Sequence, residues 1–371
     1  MNNPISLLGL ATAVPPNVLE QSDVAALAQD IFGPMFVRFP QLTDVFVNAG
    51  IDRRYSARPI EWFDKPLDWN ERTSAYLESA SDLFVEAGRK ALDRAGYAPE
   101  DVDIVVTVSS TGIATPSLDA RAGPKLGLRT DCVRVPVFGL GCAGGVAGMA
   151  LASRLARSEP GKVVLLIVVE LCTLAFRRDR INKADVISTA LFGDGAAAAV
   201  LQAKPSPSAI AQIGASGEHL WPDTLDIMGW SVDPVGLGVL LSRALPKFVE
   251  ERMAAPVKHF LASQGLGTDT RMVCHPGGAK VLEAIEVALE RPAGSFVDER
   301  TILRGYGNMS APTVMFVLEE ALRRGLAGPA ALSALGPGFT ASFLAMEVAG
   351  VAPRKQASAS EHAKTPERLN A

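Results

Sequence analysis

Two periodicities alternate along the chain. Residues 71–96, "ERTSAYLESASDLFVEAGRKALDRAG", carry apolar positions at helical spacing and end on a glycine, which predicts a long amphipathic helix. Residues 101–110, "DVDIVVTVSS", form a short apolar run that predicts a buried strand, followed by a loop and helix in "TGIATPSLDARAGPKLGL". "CVRVPVF" predicts a strand, "GGVAGMALASRLARS" a helix, and "GKVVLLIVVEL" another buried strand. In "STALFGDGAAAAVLQ", Asp194-Gly195 predicts a tight turn before a strand of small residues. After a Pro/Ser-rich break, "AKPSPSA" (203–209), the theme repeats. A helix is predicted over roughly 243–264, then a strand in "RMVCHPGG" running into a glycine turn. Helices follow in "AKVLEAIEVAL" and "SAPTVMFVLEEALRRG", and "ALSALGPGFTASFLAMEV" predicts strand, tight turn and strand. Strands interleaved with helices predict an α/β protein, and two similar successions predict an internally duplicated one. The expected division is 1–220 and 221–352, with 353–371, polar and aperiodic, as a disordered tail.

Composition narrows the class. Of 371 residues 48% are apolar and 20% charged, enough for a large core, and the net charge of −4 argues against nucleic acid or an anionic membrane as partner. Cys132, Cys142, Cys172 and Cys274 lie far apart with no C-x-x-C pair, so neither a disulfide framework nor a zinc site is expected, and a reducing compartment fits. "MNNPISLLGLATAVPP" lacks a basic start and stops at a proline pair, which predicts a first strand instead of a signal peptide. No segment approaches the roughly 18 apolar residues of a membrane span. A soluble, cytoplasmic protein is the expectation.

The stretch "VFGLGCAGG", Val137 to Gly145, admits two chemistries. It holds G-x-G-x-x-G at Gly139, Gly141 and Gly144 between a strand and a helix, and the next strand ends at Glu170, where a dinucleotide fold would carry its ribose-binding carboxylate. It also holds Cys142 where a strand meets a helix N-terminus. Unpaired N–H groups and the helix dipole favour thiolate there, and the small residues around Cys142 leave room for an acyl group. The same N–H groups can hold an oxyanion. A thiol contributes nothing to binding a pyrophosphate. For an arbitrary cysteine, a buried core thiol is the commonest case.

Partners favour the nucleophile. His219 and His259 lie in ordinary polar segments and His362 in the tail, whereas His275, in "CHPGGAK", ends an apolar strand before Pro-Gly-Gly and a helix. Asn308, in "YGNMSAPT", stands between a glycine and a helix start, a setting that also suits a helix cap. Cys142, His275 and Asn308 thus share one local setting.

At these residues the chain resembles a known family. "GLGCAGG", "CHPGG", "GYGNMSAP", "LFGDGAA" and "GPGF" are similar, in the family's order, to signature segments of the type III polyketide synthases, the chalcone synthase-like enzymes, from about residue 5 to about 350. "SSTGIATPSLDAR", "ELCTLAFRRD" and "YGNMSAPTVMFVLEEAL" are closer to the bacterial alkylresorcinol and alkylpyrone synthase branch than to the plant enzymes. The resemblance implies the thiolase fold, two superimposable halves in five layers, α-β-α-β-α. It also implies a homodimer, and no metal, flavin or nicotinamide cofactor. Cys142 would take a starter acyl group from a CoA or carrier-protein thioester. His275 and Asn308 would hydrogen-bond the thioester carbonyl of malonyl-CoA while CO2 leaves, and His275 would pair with Cys142 to keep it thiolate. Phe192 matches a gatekeeping aromatic between CoA tunnel and reaction chamber, and Ser310 falls among the substrate-binding positions. Gly336, Pro337 and Gly338 correspond to the turn that shapes the cyclisation pocket. Thr115-Pro116 aligns with a loop that enters the neighbouring subunit's cavity, through a cis bond in the plant enzymes, although X-Pro bonds are usually trans.

Three positions point to the starter. Cys172 and Ala175 stand where the plant enzymes carry threonines, and Val239 falls near a second gatekeeping aromatic. Together they imply an apolar channel and a medium- or long-chain fatty acyl starter. One departure concerns CoA. "QLTDVFVNAGIDRRY" offers Gln41, Asp44 and Asn48 where the plant enzymes place basic residues, with Arg53 and Arg54 only further along. Lys280 is the alternative phosphate contact, and an acyl carrier protein the alternative starter donor. Two rival activities remain: a single-round thiolase-fold condensing enzyme of the ketoacyl synthase III type, and a papain-like Cys-His-Asn hydrolase, whose His lies about 130–150 residues after its Cys. Against the hydrolase, Cys142 lies mid-chain, is followed by Ala, and has no disulfide pattern around it.

Overall fold

A computed structural model describes residues 4–350; the expected tail, 353–371, lies outside the described residues. Nine strands form one sheet in the order Arg271–Cys274, Gly328–Gly336, Thr340–Val348, Ala211–Leu220, Ile5–Ala13, Asp194–Ala203, Val163–Leu171, Val102–Val108 and Val133–Val137. Pairing is parallel toward each end and antiparallel through the middle. Within the sheet the two parts join where Ile5–Leu7 pair with Ala211–Ile213.

The strand period of two sorts the side chains into layers. In Val163–Leu171, residues Val164, Leu166 and Val168 enter a central cluster, while Val163, Leu165, Ile167 and Val169 enter an outer one. The outer cluster is closed by the helix Trp69–Ala95. That helix starts in a capping box, in which the Asp68 carboxylate accepts the Glu71 N–H at 2.9 Å, and ends at Gly96 with φ 73°. In the other half, Leu344 and Met346 face the central cluster, and Ala341, Phe343 and Ala345 face the helices Leu245–Arg252, Ala254–Ser263 and Ala279–Ala288. Between the two parts of the sheet lie the central helices Gly144–Ser158 and Thr313–Arg323, buried over most of their circumference. The result is α-β-α-β-α, the thiolase fold.

Two local expectations fail for physical reasons. Asp194-Gly195 makes no turn: the helix Lys183–Leu191 precedes it, and both residues open the strand Asp194–Ala203. The Asp194 carboxylate is buried and accepts the N–H groups of Ala57 and Thr173, each at 2.7 Å, and the Thr173 hydroxyl at 2.6 Å, so it ties loops together. The helix expected over 243–264 is two helices that break at Met253, because Pro256 has no N–H for the Arg252 carbonyl. The helix Gln21–Arg38 and the hairpin Met228–Asp233/Gly236–Leu241 were not anticipated, and the hairpin strands pair only with each other.

The central helices touch through glycine. A Cβ on Gly145 would lie 2.8 Å from Val314 Cγ1 and inside contact distance of the Ala311 carbonyl. Gly145→Ala should therefore destabilise by about 1–3 kcal/mol through overpacking. Gly305→Ala, in the helix Val297–Tyr306 with nothing within 4 Å of the added carbon, should be neutral or stabilising by up to ~1 kcal/mol. Thermal unfolding midpoints of the two variants test the contrast, and equal midpoints would refute it.

Candidate active site

Cys142 sits in the tight turn Gly141–Ala143 immediately before the central helix Gly144–Ser158 and is 8% exposed. The glycines around it answer to packing. Gly141 has φ 49°, and a Cβ there would lie 2.6 Å from Pro337 Cδ; one on Gly144 would lie 2.8 Å from Val108 Cγ1. Glu170, the carboxylate of the dinucleotide reading, is fully buried, and its Oε2 accepts the Ser110 N–H at 2.9 Å and the Thr111 hydroxyl at 2.8 Å.

His275 follows the strand Arg271–Cys274, fixed by its N–H donating to the Ser333 carbonyl at 2.8 Å. Its ring is buried, and neither nitrogen has a hydrogen-bond partner. Asn308 follows the helix Val297–Tyr306 and is bridged to the segment after the helix Lys183–Leu191. Its N–H donates to the Leu191 carbonyl at 2.8 Å, and its carbonyl accepts the Gly193 N–H at 3.0 Å. Its side-chain Oδ1 accepts the Ser310 N–H at 2.8 Å and its Nδ2 donates to the Gly277 carbonyl at 3.1 Å, which fixes the amide and leaves one Nδ2 hydrogen for another acceptor.

The three residues line one cavity of about 70 Å3, together with Phe192, Cys172, Val239, Ser310 and Pro337. Gly336 and Gly338 flank Pro337 without lining that cavity. A second cavity of about 50 Å3 shares Cys172, Phe192 and Val239 with the first and adds Ala175. An outer cavity of about 470 Å3 shares Leu191, Leu241 and Leu245 with the first and holds Gln41, Asp44, Asn48 and Lys280. Thr115 lines none of the three, and its bond to Pro116 is cis.

Sequence reasoning missed several lining residues. Lys183 and Arg243 join Lys280 around the outer cavity from two other elements, and Trp230 walls the reaction cavity, donating from its indole to the Ser110 carbonyl at 2.9 Å. Spacing carries no signal for them, because each belongs to an element that was not predicted or was predicted differently. Arg54 does not line the outer cavity; it lines the second one. It is 1% exposed and donates to the carbonyls of Thr189 (2.7 Å), Ala190 (2.9 Å) and Phe192 (3.0 Å) at the end of the helix Lys183–Leu191. Burial pulls its guanidinium down to about 9.

Burial also dominates the titration of the centre, against the thiolate expected for Cys142. It pushes the Cys142 thiol up to about 11, opposed by the Ser310 hydroxyl and the Asn308 amide, and pulls the His275 imidazole down to about 3. A lone charge on either group is costly in this dry setting. A thiolate there would need a compensating cation, and His275, which lines the same cavity, is the candidate to carry it.

Comparison with known proteins identifies the family. Residues 65–205 match the N-terminal domain of chalcone and stilbene synthases, and residues 212–347 the C-terminal domain. The chain is 38% identical over 347 residues to 1,3,6,8-tetrahydroxynaphthalene synthase of Streptomyces peucetius subsp. caesius, covering 91% of this chain and 92% of the relative. It is 32% identical over 340 residues to type III polyketide synthase A of Arabidopsis thaliana, covering 85% and 84%. The crystal structure of 1,3,6,8-tetrahydroxynaphthalene synthase from Streptomyces coelicolor A3(2) superposes with a TM-score of 0.88 at 25% identity, over 93% of this chain and 100% of that one. PKS-I from the brown alga Ectocarpus siliculosus superposes at 0.86 and 27%, over 94% and 99%. The chain belongs to the chalcone and stilbene synthase family. It is a type III polyketide synthase, a transferase that carries out decarboxylative Claisen condensation with malonyl-CoA. Among the described residues no helix is long and apolar enough to cross a membrane.

Proton sharing between Cys142 and His275 would have a measurable consequence. If the imidazole takes the thiol proton, the pH profile of Cys142 alkylation by iodoacetamide should inflect at a higher pH in His275→Ala than in the wild type. Identical profiles would show that His275 does not share the thiol proton.

Proposed function

We propose that the protein loads a medium- or long-chain fatty acyl starter on Cys142, extends it iteratively with malonyl-CoA and closes it to an alkylresorcinol or alkylpyrone. Cys142 Sγ attacks the starter thioester, its proton passes to a ring nitrogen of His275, and the CoA thiolate departs. Malonyl-CoA then loses CO2, and the enolate oxygen that results is met by the free Nδ2 hydrogen of Asn308 and by His275. Two donors fixed before the reaction lower that barrier without reorganisation. The carbanion attacks the Cys142 thioester, and transfer of the lengthened chain back to Cys142 begins the next round.

The second cavity carries the assignment of the starter. It shares Cys172, Phe192 and Val239 with the reaction cavity, and the rest of its lining is mostly apolar, with Leu19, Val24, Leu27, Ile60, Phe63 and Ala175 beside the polar Arg54, Thr173, Ser188 and Thr189. Each methylene buried there contributes about 0.8 kcal/mol, so several carbons amount to orders of magnitude in binding. A second reading is favoured by the relatives named tetrahydroxynaphthalene synthases. A naphthalene has ten ring carbons, equivalent to five two-carbon units, and needs no alkyl pocket. Malonyl-CoA alone separates the two: ready conversion to a naphthol would replace the fatty-starter reading.

The homodimer is part of the proposal. Val133 and Phe138, at the two ends of the edge strand Val133–Val137, and Ile113 in a loop are each more than half exposed, apolar positions suited to contact with a second copy whose Thr115-Pro116 loop would approach the cavity. Residues 1–220 would carry the nucleophile and 221–352 the two donors, with Lys280, Lys183 and Arg243 meeting the phosphates of the incoming thioester. Pro337, flanked by Gly336 and Gly338, would shape the space for cyclisation beside Ser310.

Two outcomes are expected. Asn308→Ala should lower malonyl-CoA decarboxylation by roughly 10²–10³-fold while mass spectrometry still finds the starter on Cys142. Abolished loading with intact decarboxylation would overturn its role. Lauroyl- and palmitoyl-CoA should exceed p-coumaroyl-CoA in kcat/KM, and Ala175→Trp should remove most of that advantage. An aromatic preference, or long chains unaffected by the tryptophan, would defeat the starter assignment.

A further inference from the structure

The reaction cavity is small for what must grow in it. It measures about 70 Å3 and the cavity beyond Cys172 about 50 Å3, whereas pockets that enclose organic ligands run about 300–1,000 Å3. A chain that lengthens inside the protein therefore needs a wall that gives. The central helices and the sheet are close-packed and do not. The hairpin Met228–Asp233/Gly236–Leu241 differs. Its strands pair only with each other, an arrangement with marginal stability of its own, yet it supplies Met228, Trp230, Val239 and Leu240 to the cavity wall.

Polar ties hold this hairpin down. Arg177, 3% exposed, donates to the Asp233 carboxylate at 2.7 Å and grips Asp179 with the rest of its guanidinium. The same Asp233 oxygen accepts the N–H groups of Val235 (2.9 Å) and Gly236 (3.2 Å), so one carboxylate closes the turn and anchors it. Arg177 and these N–H groups hold the Asp233 carboxyl down at about 2, and it is charged throughout the working range. The Trp69 indole donates to the Asp233 carbonyl at 3.1 Å, and Arg180 donates to the Ser231 hydroxyl at 2.7 Å.

We infer that this hairpin is the movable wall of the condensation chamber, and that the Arg177–Asp233 ion pair is the latch that sets how far it opens and so how many extensions precede ring closure. The inference rests on the iterative reading above. Arg177 and Asp233 touch neither the thioester nor Cys142, and both are positioning residues that act through the wall. A weaker latch gives a larger chamber and longer products.

Asp233→Asn keeps the shape of the side chain and removes its charge. With lauroyl-CoA and malonyl-CoA, product masses should shift so that the share carrying one or more additional two-carbon units rises several-fold, while starter loading on Cys142 stays within about twofold. Unchanged or shorter products from a folded variant would overturn the inference, since a merely structural lesion lowers total turnover without lengthening the product. Hydrogen exchange on the wild type gives a second test that needs no variant: amides of residues 228–241 should exchange faster once Cys142 carries a lauroyl group. Equal or slower exchange would also overturn it. A wild-type enzyme that adds only one malonyl unit would defeat the iterative reading instead, and that is visible before any variant is compared.

Discussion

The site depends on how closely two stretches of backbone approach at the middle of the molecule. One carries Cys142 on the turn Gly141–Ala143, and the other carries Asn308 and Ser310 ahead of the helix Thr313–Arg323, with Pro337 beside it. Hydrogen is the largest side chain that Gly141 and Gly145 can present to Pro337 and Ala311. Gly336 completes the seam, since a Cβ there would fall 2.6 Å from that of Ala143. Any larger residue would part the halves by a fraction of an ångström to an ångström, and misplacement on that scale costs rate by orders of magnitude in reactions that rely on positioned groups. The small residues of "GCAGG", "SAP" and "GPG" are thus one constraint written three times.

Close approach also makes the centre dry, and dryness decides which groups can work there. An isolated ion is costly in such surroundings, which is why Cys142 and His275 are both driven toward their neutral forms. Glu170 obeys the same rule: burial lifts its carboxyl to about 8 even though Ser110 and Thr111 oppose the rise. Near neutral pH the resting site is largely uncharged. Its donors, an amide N–H and an imidazole, carry dipoles without a net charge, so they escape most of the cost of being buried. In the proposed reaction a low dielectric would strengthen their pull on the enolate. A carboxylate in place of Asn308 would be protonated or would repel the anion.

The sequence disclosed the scaffold and three polar residues that share one cavity, but little of the walls. Strands such as Val163–Leu171 and helices such as Trp69–Ala95 were legible because burial imposes a period, and the helix adds a capping box and a closing glycine. Cys142, His275 and Asn308 were legible because each stands at a strand end or helix start among glycines, and one cavity does hold all three. The hairpin Met228–Leu241 was not, because its strands follow no alternation of burial and its ties are ionic and long-range. Arg54 looks like a surface cation in "IDRRY", yet it is buried, because the carbonyls that receive it come from residues 189–192, a connection no local pattern encodes. Asp194-Gly195 misled for the opposite reason: the dipeptide is a sound turn signal, but a buried carboxylate was needed there to join Ala57 and Thr173.

That buried arginine links two functions which the proposed reaction would otherwise keep apart. Asn308 spends both its backbone groups on Leu191 and Gly193, so the proposed decarboxylation donor and the aromatic Phe192 share one hydrogen-bonded unit. Arg54 locks that unit from behind through the Phe192 carbonyl and the last turn of the helix Lys183–Leu191. Leu191, in the same unit, lines both the outer cavity and the reaction cavity. A displacement of Leu191 large enough to widen the passage between them therefore pulls on the backbone of Asn308 as well. In the proposed reaction, the passage that admits the thioester and the group that polarises it would therefore not be tuned separately. Substitutions that enlarge the lining at Leu191 or Phe192 would act on decarboxylation through Asn308, even when they leave the thioester carbonyl untouched.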